Sequence, residues 1–289
     1  MALNGAFVAM KIACAVDEIR QLTPDEIKSI LDKDKAGEYL LLDVRQPEEY
    51  EAGHIPGARL IPLGQLEARQ TELDRGKKII AYCRSGHRSM AAAIALCGLG
   101  FEWIYHLDGG ILNWSYKTIP GVPEEKPALI AEAANVKDIL MLAIKLEKGS
   151  WDFYMASRDK VGSPQVRKAF QMLANAEDKH IQMLYQRAIS LLGEGALPPV
   201  EKLKRELKVE HMEGGVEVNP ALAKVDEKFT REMEALGIAL EKEYMSYDFY
   251  KRASAMLENP DAKTLFNELA LEEREHANVL LKRVEKIFR

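Results

Sequence analysis

"EKGSWDFY" (residues 147–154) and "EYMSYDFY" (residues 243–250) repeat one another at an offset of 243 − 147 = 96 residues. Carried forward without a gap, that offset sets Pro164 against Pro260, Phe170 against Phe266, Leu173 against Leu269 and Glu177 against Glu273. His180 then meets His276, Leu184 meets Leu280 and Arg187 meets Arg283. The apolar positions recur at helical spacing, so the reading is a duplicated helical hairpin. Long amphipathic helices are expected over approximately 133–159, 164–192, 225–257 and 260–288, with Pro164 and Pro260 in a first helical turn. Four helices of that length make a bundle, and residues 193–223 form its one long crossover.

The register of "EDKH" (Glu177 to His180) and "EREH" (Glu273 to His276) carries the chemistry of this half. Residues three apart share a helix face, so each glutamate and histidine can reach a common ion. A single Glu-x-x-His on a charged helix is usually a solvated face. Two at the same repeat offset, each preceded by a matching glutamate, form the ligand pattern of a carboxylate-bridged di-iron or di-manganese centre. The six candidate ligands are Glu147, Glu177, His180, Glu243, Glu273 and His276. Glu241 competes with Glu243. Glu243 is preferred because it keeps the offset and the same seven-residue spacing to a tyrosine (Tyr154, Tyr250). Without thiolates the set does not suit a structural zinc site. His211, in "EHMEGG" (210–215), reads as a solvated crossover residue.

Residues 21–123 follow another pattern. "EYLLLDVR" and "KKIIAYC" are apolar blocks of strand length, while "TPDEIKSILDK" opens like a helix with Thr23 as N-cap, Pro24 at the first position and Glu26 completing a capping box. "RSMAAAIALCGLG" is an alanine-rich helix ended by glycine. Strands alternating with helices predict a mostly parallel α/β sheet. "TIPGVPEEKPA" (Thr118 to Ala128) reads as the connection between the halves. The expected organisation is therefore an N-terminal extension (1–20), an α/β domain (21–123), a linker (124–132) and an all-α bundle (133–289).

In "AYCRSGHRSM" (81–90) a cysteine stands between a strand and a helix start, with Arg84, Ser85, Gly86, His87, Arg88 and Ser89 following it. Successive backbone N–H groups and a helix N-terminus make an anion cradle. A thiolate there is stabilised, so Cys83 is the candidate nucleophile. Arg84 and Arg88 would reinforce the charge and hold an anionic sulfur substrate. Cys97, on the following helix, reads as core, and Cys14 as incidental.

The segments "LLDVRQPEEYEAGHIPGARLIPL" (41–63) and "LDGGILNW" (107–114), with the cysteine loop between them, resemble rhodanese domains. That resemblance implies an α/β sulfurtransferase in which Cys83 carries a sulfane sulfur as a persulfide. The residues from Cys83 to Ser89 look like the substrate loop of single-domain members. Asp43, Arg45, Glu49 and His54 match the family signature, where they brace the fold. Phosphatases on the same fold are the rival, with arsenate reductases as a further alternative; the phosphatase motif places five residues between cysteine and arginine, whereas four separate Cys83 from Arg88 here.

By its six ligands the second half resembles the rubrerythrin branch of the ferritin-like family. This implies two iron ions, manganese being possible, with chemistry toward peroxide or dioxygen, and commonly a homodimer. Ser246 stands where many members carry an additional glutamate, and no rubredoxin-like cysteine module is present to supply electrons, so the electron donor is unknown. The combined expectation is a sulfurtransferase joined to a di-iron oxidoreductase. It would take thiosulfate or a low-molecular-weight persulfide as donor and a thiol as acceptor. The alternative is an iron-storage or iron-sensing bundle with a persulfide carrier.

Composition narrows the remaining choices. A net charge of −5 without a basic stripe gives no sign of a nucleic-acid partner. Three scattered cysteines exclude a disulfide framework. No apolar run reaches the roughly 20 residues of a membrane span, and the first positive side chain, Lys11, falls inside the apolar N-terminal stretch rather than before it. A cytoplasmic protein without an evident organic cofactor is expected.

Overall fold

The structure, a computed structural model, describes residues 19–121, 136–212, 216–224, 232–257 and 259–288. Cys14 and the linker at 124–132 lie outside the described residues. The chain divides into two compact units after Pro123.

The first unit is built on β1 (Arg20–Leu22), β2 (Tyr39–Asp43), β3 (Arg59–Leu60), β4 (Lys78–Tyr82) and β5 (Ile104–Leu107). They form one sheet in the order β1-β5-β4-β2-β3, every pair parallel. A parallel sheet is covered on both faces, which is why the middles of β2 (Leu40 to Leu42) and β4 (Ile79 to Ala81) are apolar. Leu41, Ile80 and Tyr82 join a core with Tyr50 and Leu107. Leu42, Ile79 and Cys83 join the other with Ala92, Ala93, Leu96 and Phe101.

Among the described residues three α-helices flank the sheet: α1 (Pro24–Lys33), α2 (Pro47–Ala52) and α3 (His87–Gly98). The Thr23–Glu26 capping box forms at the start of α1. α3 begins at His87, because Gly86 at φ 94° turns the chain into the helix. The signature residues brace the loops above the sheet. Arg45 Nη2 donates to Asp43 Oδ2 at 2.7 Å and to the Gly53 carbonyl at 2.8 Å, while His54 stacks on Tyr50 at 3.7 Å.

The second unit holds four long helices, α4 (Val136–Lys160), α5 (Pro164–Leu192), α8 (Glu232–Met256) and α9 (Pro260–Phe288). Its crossover contains α6 (Val200–Glu206), β6 (His211–Met212), β7 (Val216–Glu217) and α7 (Val218–Lys224). Both prolines sit where helices start: Ser163 caps α5 through the Val166 N–H, and Asn259 caps α9 through the Ala262 N–H at 3.0 Å. The duplication is visible in the packing. Phe153, Tyr154, Phe170 and Leu173 lie in one apolar cluster, and their repeat partners Phe249, Tyr250, Phe266 and Leu269 lie in the other. Full burial of one such phenylalanine stabilises the fold by roughly 2 kcal/mol.

The crossover breaks the symmetry. Instead of a plain connection it folds into a hairpin flanked by short helices, and the hairpin lies against α4. Gly149 permits this, since a Cβ there would stand 2.3 Å from the His211 carbonyl oxygen. The repeat places Met245 opposite Gly149, so the hairpin has one seat and not two. His211, expected in solvent, is half-buried in β6. Among the described residues no helix is long and apolar enough to cross a membrane.

Candidate functional site

Cys83 follows the last residue of β4, at the carboxyl end of the sheet, where open parallel sheets present their binding loops. Its Sγ accepts a hydrogen bond from the Gly86 N–H at 3.2 Å. Burial pushes the Cys83 thiol up, but the N–H and hydroxyl of Ser89 and the N–H groups of Ser85 and Gly86 together outweigh it, leaving the thiol below its ordinary range. Ser89 is buried beneath the loop, while Arg84, Ser85 and His87 are exposed on it. Ser85 Oγ lies 3.1 Å from His87 Nδ1.

The base of this loop is the "LDGGILNW" segment. The Ile111 N–H donates to the Cys83 carbonyl at 2.8 Å, and the Leu112 N–H donates to the Arg84 carbonyl at 3.1 Å. Gly110 lies so close that a Cβ there would stand 2.5 Å from the Cys83 carbonyl oxygen, and its φ of +63° disfavours any side chain. A glycine pair more than twenty residues downstream thus sets the conformation of the cysteine loop.

Arg88 is committed elsewhere. Its Nη1 and Nη2 donate to the two carboxylate oxygens of Glu49, each at 2.7 Å. The Arg88 hydrogen bonds hold the Glu49 carboxyl down to about 2. The Arg88 charge is therefore matched within the fold, and Arg84 is the loop arginine exposed to solvent. Cys97 is buried in the core beside Leu96.

In the second unit Glu147 on α4, Glu177 and His180 on α5, Glu243 on α8, and Glu273 and His276 on α9 converge. All four carboxylates are 0% exposed. His180 Nδ1 lies 2.9 Å from Glu147 Oε2, 3.3 Å from Glu177 Oε2 and 3.4 Å from Glu273 Oε1. His276 Nδ1 lies 3.1 Å from Glu243 Oε2 and 3.8 Å from Glu273 Oε2. Ligand atoms of Glu147, Glu177, His180 and Glu273 fall within 4.8 Å of one another, and so do those of Glu177, Glu243, Glu273 and His276. Glu177 and Glu273 belong to both groups, and neither Glu241 nor His211 belongs to either.

This cluster fits a pair of cations. Buried carboxylates need compensating positive charge and hydrogen bonds. Yet Glu177 Oε2 and both oxygens of Glu273 accept no hydrogen bond from the described residues. Burial, followed by the charges of Glu177 and Glu243, raises the Glu273 carboxyl to about 8. Burial opposes protonation of His276, but Glu243 and Glu273 overcome it and raise the ring to about 11. Oxygen and imidazole donors without sulfur suit iron or manganese.

Four further residues shape the cluster. Tyr250 Oη donates to Glu147 Oε1 at 2.6 Å, and Tyr154 Oη donates to Glu243 Oε1. Lys242, 4% exposed, places Nζ 3.1 Å from Glu177 Oε1 and 3.7 Å from Glu243 Oε1. Glu272 Oε2 lies 2.6 Å from His180 Nε2. Sequence reasoning used the tyrosines only as register marks and overlooked Lys242 and Glu272. The signal was a break in the repeat, which pairs Lys242 with Leu146 and Glu272 with Ala176.

A parallel sheet with a cysteine loop at a strand end, and a helical bundle with a Glu/His cluster, define a two-part chain. Family models make the assignment specific: Rhodanese-like domain matches residues 23–117, and Rubrerythrin matches residues 138–225 and 234–289. The chain belongs to the rhodanese-like family through its first unit and to the rubrerythrin family through its second. Among curated proteins it is similar to the uncharacterized protein YqhL of Bacillus subtilis, 39% identical over 115 residues, covering 39% of this chain and 87% of that one. It is similar to a sulfurtransferase of Allochromatium vinosum, 36% identical over 30% of this chain and 80% of that one. It is also similar to the putative sulfur carrier protein YrkF of Bacillus subtilis, 38% identical over 35% of this chain. The chain spans about half of YrkF, 53%.

Proposed function

We propose that the protein is a sulfurtransferase whose Cys83 carries a persulfide, joined to a di-iron oxidoreductase bundle. The observation that supports the first activity is Cys83 Sγ held among the N–H groups of its own loop with its thiol lowered. The Cys83 thiolate attacks the outer sulfur of thiosulfate or of a small persulfide. The sulfur–sulfur bond of the donor breaks, and its electron pair leaves with sulfite or with the donor thiolate. The persulfide anion on Cys83 then occupies the cradle that held the thiolate. An acceptor thiolate attacks the terminal sulfur, takes it away as a persulfide and restores the Cys83 thiolate. Arg84, Ser85, Gly86 and His87 line the approach, buried Ser89 holds the sulfur from within, and Arg88 holds the loop through Glu49. With its guanidinium so engaged, the loop favours sulfur over a phosphoryl group.

In the bundle Glu147, Glu177, His180, Glu243, Glu273 and His276 would hold two iron ions, manganese being the other candidate. Bound there, the metals supply one-electron redox chemistry toward peroxide or dioxygen. The protein's own residues bind and orient: Tyr250 and Tyr154 fix Glu147 and Glu243, and burial strengthens each charge interaction. The union of both families in one chain supports the Cys83 persulfide, or sulfide released from it, as a source of reducing equivalents. Reduced thiol chemistry of this kind suits the cytoplasm.

Thiosulfate-to-cyanide sulfur transfer, with metal analysis of protein purified without added metal, tests both halves. Transfer should vanish in Cys83→Ala while metal content stays at two ions per chain. Transfer unchanged in Cys83→Ala, or hydrolysis of an aryl phosphate in its place, defeats the first reading, and metal-free protein that takes up no iron defeats the second. If Cys83→Ser leaves peroxide turnover with sulfane donors unchanged, the two activities are independent.

A further inference from the structure

The repeated hairpin makes the two halves of the Glu/His cluster near copies. One half consists of Glu147 and His180, the other of Glu243 and His276, and Glu177 and Glu273 serve both. The shared carboxylates do not divide evenly, because Glu177 Oε1 is taken by Lys242. Glu177 Oε2 and Glu273 Oε1 face His180, whereas Glu273 Oε2 faces His276.

Among the described residues, two charged side chains that reach the cluster's own ligands have no counterpart in the other repeat. The Lys242 ammonium lies 3.1 Å from Glu177 Oε1 and 3.7 Å from Glu243 Oε1, on the Glu243 side, and 4.8 Å above the Tyr154 ring. Its repeat partner beside Glu147 is Leu146, buried and uncharged. Glu272 Oε2 lies 2.6 Å from His180 Nε2, the ring nitrogen facing away from the cluster. Its repeat partner on α5, beneath His276 in the alignment, is Ala176, which has no such group.

These differences act in one direction. A fixed cation a few ångströms from Glu177 Oε1 and Glu243 Oε1 already satisfies oxygens that a metal on that side would need, and repels a second cation in a low-dielectric interior. A carboxylate on the distal nitrogen of a ligating imidazole fixes its orientation and raises its basicity toward metal. The Glu147–His180 side has the helpful carboxylate and lacks the lysine. The Glu243–His276 side has the lysine and, among the described residues, lacks the carboxylate.

Resting on the reading of the cluster as a two-metal site, we infer that its two positions are unequal and fill in order, Glu147–His180 first and Glu243–His276 second. Lys242 and Glu272 are positioning residues that set this order. The second position is then the one that empties first, or accepts a different ion, when metal is scarce.

Anaerobic titration of the metal-free full chain with cobalt(II), followed by calorimetry and by its visible ligand-field bands, tests the order. Two steps are expected, about tenfold or more apart in affinity. Glu147→Gln should remove the tight step and Glu243→Gln the weak one. Lys242→Leu, which copies Leu146, should strengthen the weak step, and Glu272→Ala, which copies Ala176, should weaken the tight one. Because Glu272 is half exposed, its removal leaves the fold intact even if Lys242→Leu disturbs it. Two equal steps in the unsubstituted chain, or unequal steps that neither Glu272→Ala nor Lys242→Leu moves, overturn the inference while leaving the two-metal reading standing. Absence of any cobalt binding overturns the reading itself.

Discussion

The Tyr250 hydroxyl lies 2.6 Å from Glu147 Oε1, and its repeat partner Tyr154 makes the same bond to Glu243. Each hairpin therefore orients a carboxylate of the other. Burial, reinforced by the Glu243 charge, keeps the Tyr154 phenol far above its ordinary range, so it remains a neutral donor. Two helical hairpins that each brace the other's buried charge cannot separate without stranding both.

Tyr250→Phe removes one brace. The expected cost is about 1–2 kcal/mol of stability in the metal-free protein, since a buried carboxylate loses a donor. Metal affinity should fall on the order of tenfold. Chemical denaturation with and without chelator, next to a metal titration, measures both. An unchanged affinity would show that Glu147 is held well enough by His180 alone.

The lowered Cys83 thiol has a direct kinetic signature. A lowered pKa means thiolate persists to lower pH, so alkylation by iodoacetamide should reach half its maximal rate at a lower pH than for an unperturbed cysteine. The rate should rise with pH and then level off, and it should vanish in Cys83→Ala if the other cysteines are slow. A midpoint at or above the ordinary value would remove the electrostatic basis for the nucleophile.

Gly110→Ala tests the base of the loop without touching the nucleophile. The new Cβ would press on the Cys83 carbonyl oxygen at 2.5 Å, from a backbone at φ +63° that disfavours alanine. A cost of about 1–3 kcal/mol is expected from the strained backbone, with a loss of sulfur transfer larger than in a control substitution of exposed Arg84 to Lys. Thermal melting and the thiosulfate assay read the two effects separately. Full transfer in Gly110→Ala would mean that the downstream glycine pair does not shape the loop.

Glu49→Gln tests the Arg88 pair and its pH dependence. The folded-state carboxyl at about 2 lies below the usual 4.5. A depressed carboxylate contributes its stability fully above the ordinary value and loses it as pH falls toward the folded value. Near neutrality the substitution should cost about 1 kcal/mol, a modest figure because both partners are about one-third exposed. The gap between the two proteins should close as pH is lowered from 4.5 toward 2. A gap that persists unchanged in acid would point to packing and not charge.

Much of this architecture is legible in the amino-acid sequence. The strand blocks, the capping box at Thr23 and the 96-residue offset each carry a local or periodic signal. The ExxH register predicts the converging side chains because helix periodicity alone puts Glu177 with His180, and Glu273 with His276, on one face. The crossover was less legible. Its hairpin exists through a steric vacancy at Gly149 on a distant helix, and a vacancy leaves no mark in the segment that fills it. Arg88 was misleading for a similar reason: its neighbours in sequence suggest an anion site, while its partner Glu49 lies 39 positions away.

Both fold classes, the cysteine loop and the six Glu/His positions are legible in the amino-acid order, because periodicity, turn chemistry and the internal repeat are local properties of the chain. Which charges meet is not. Folding set Arg88 on Glu49, Tyr250 on Glu147, Lys242 beside Glu177 and Glu272 on His180. Helix and strand formation are settled within a few residues, but a charge interaction depends on distance and burial, and these exist only once the chain has closed around it.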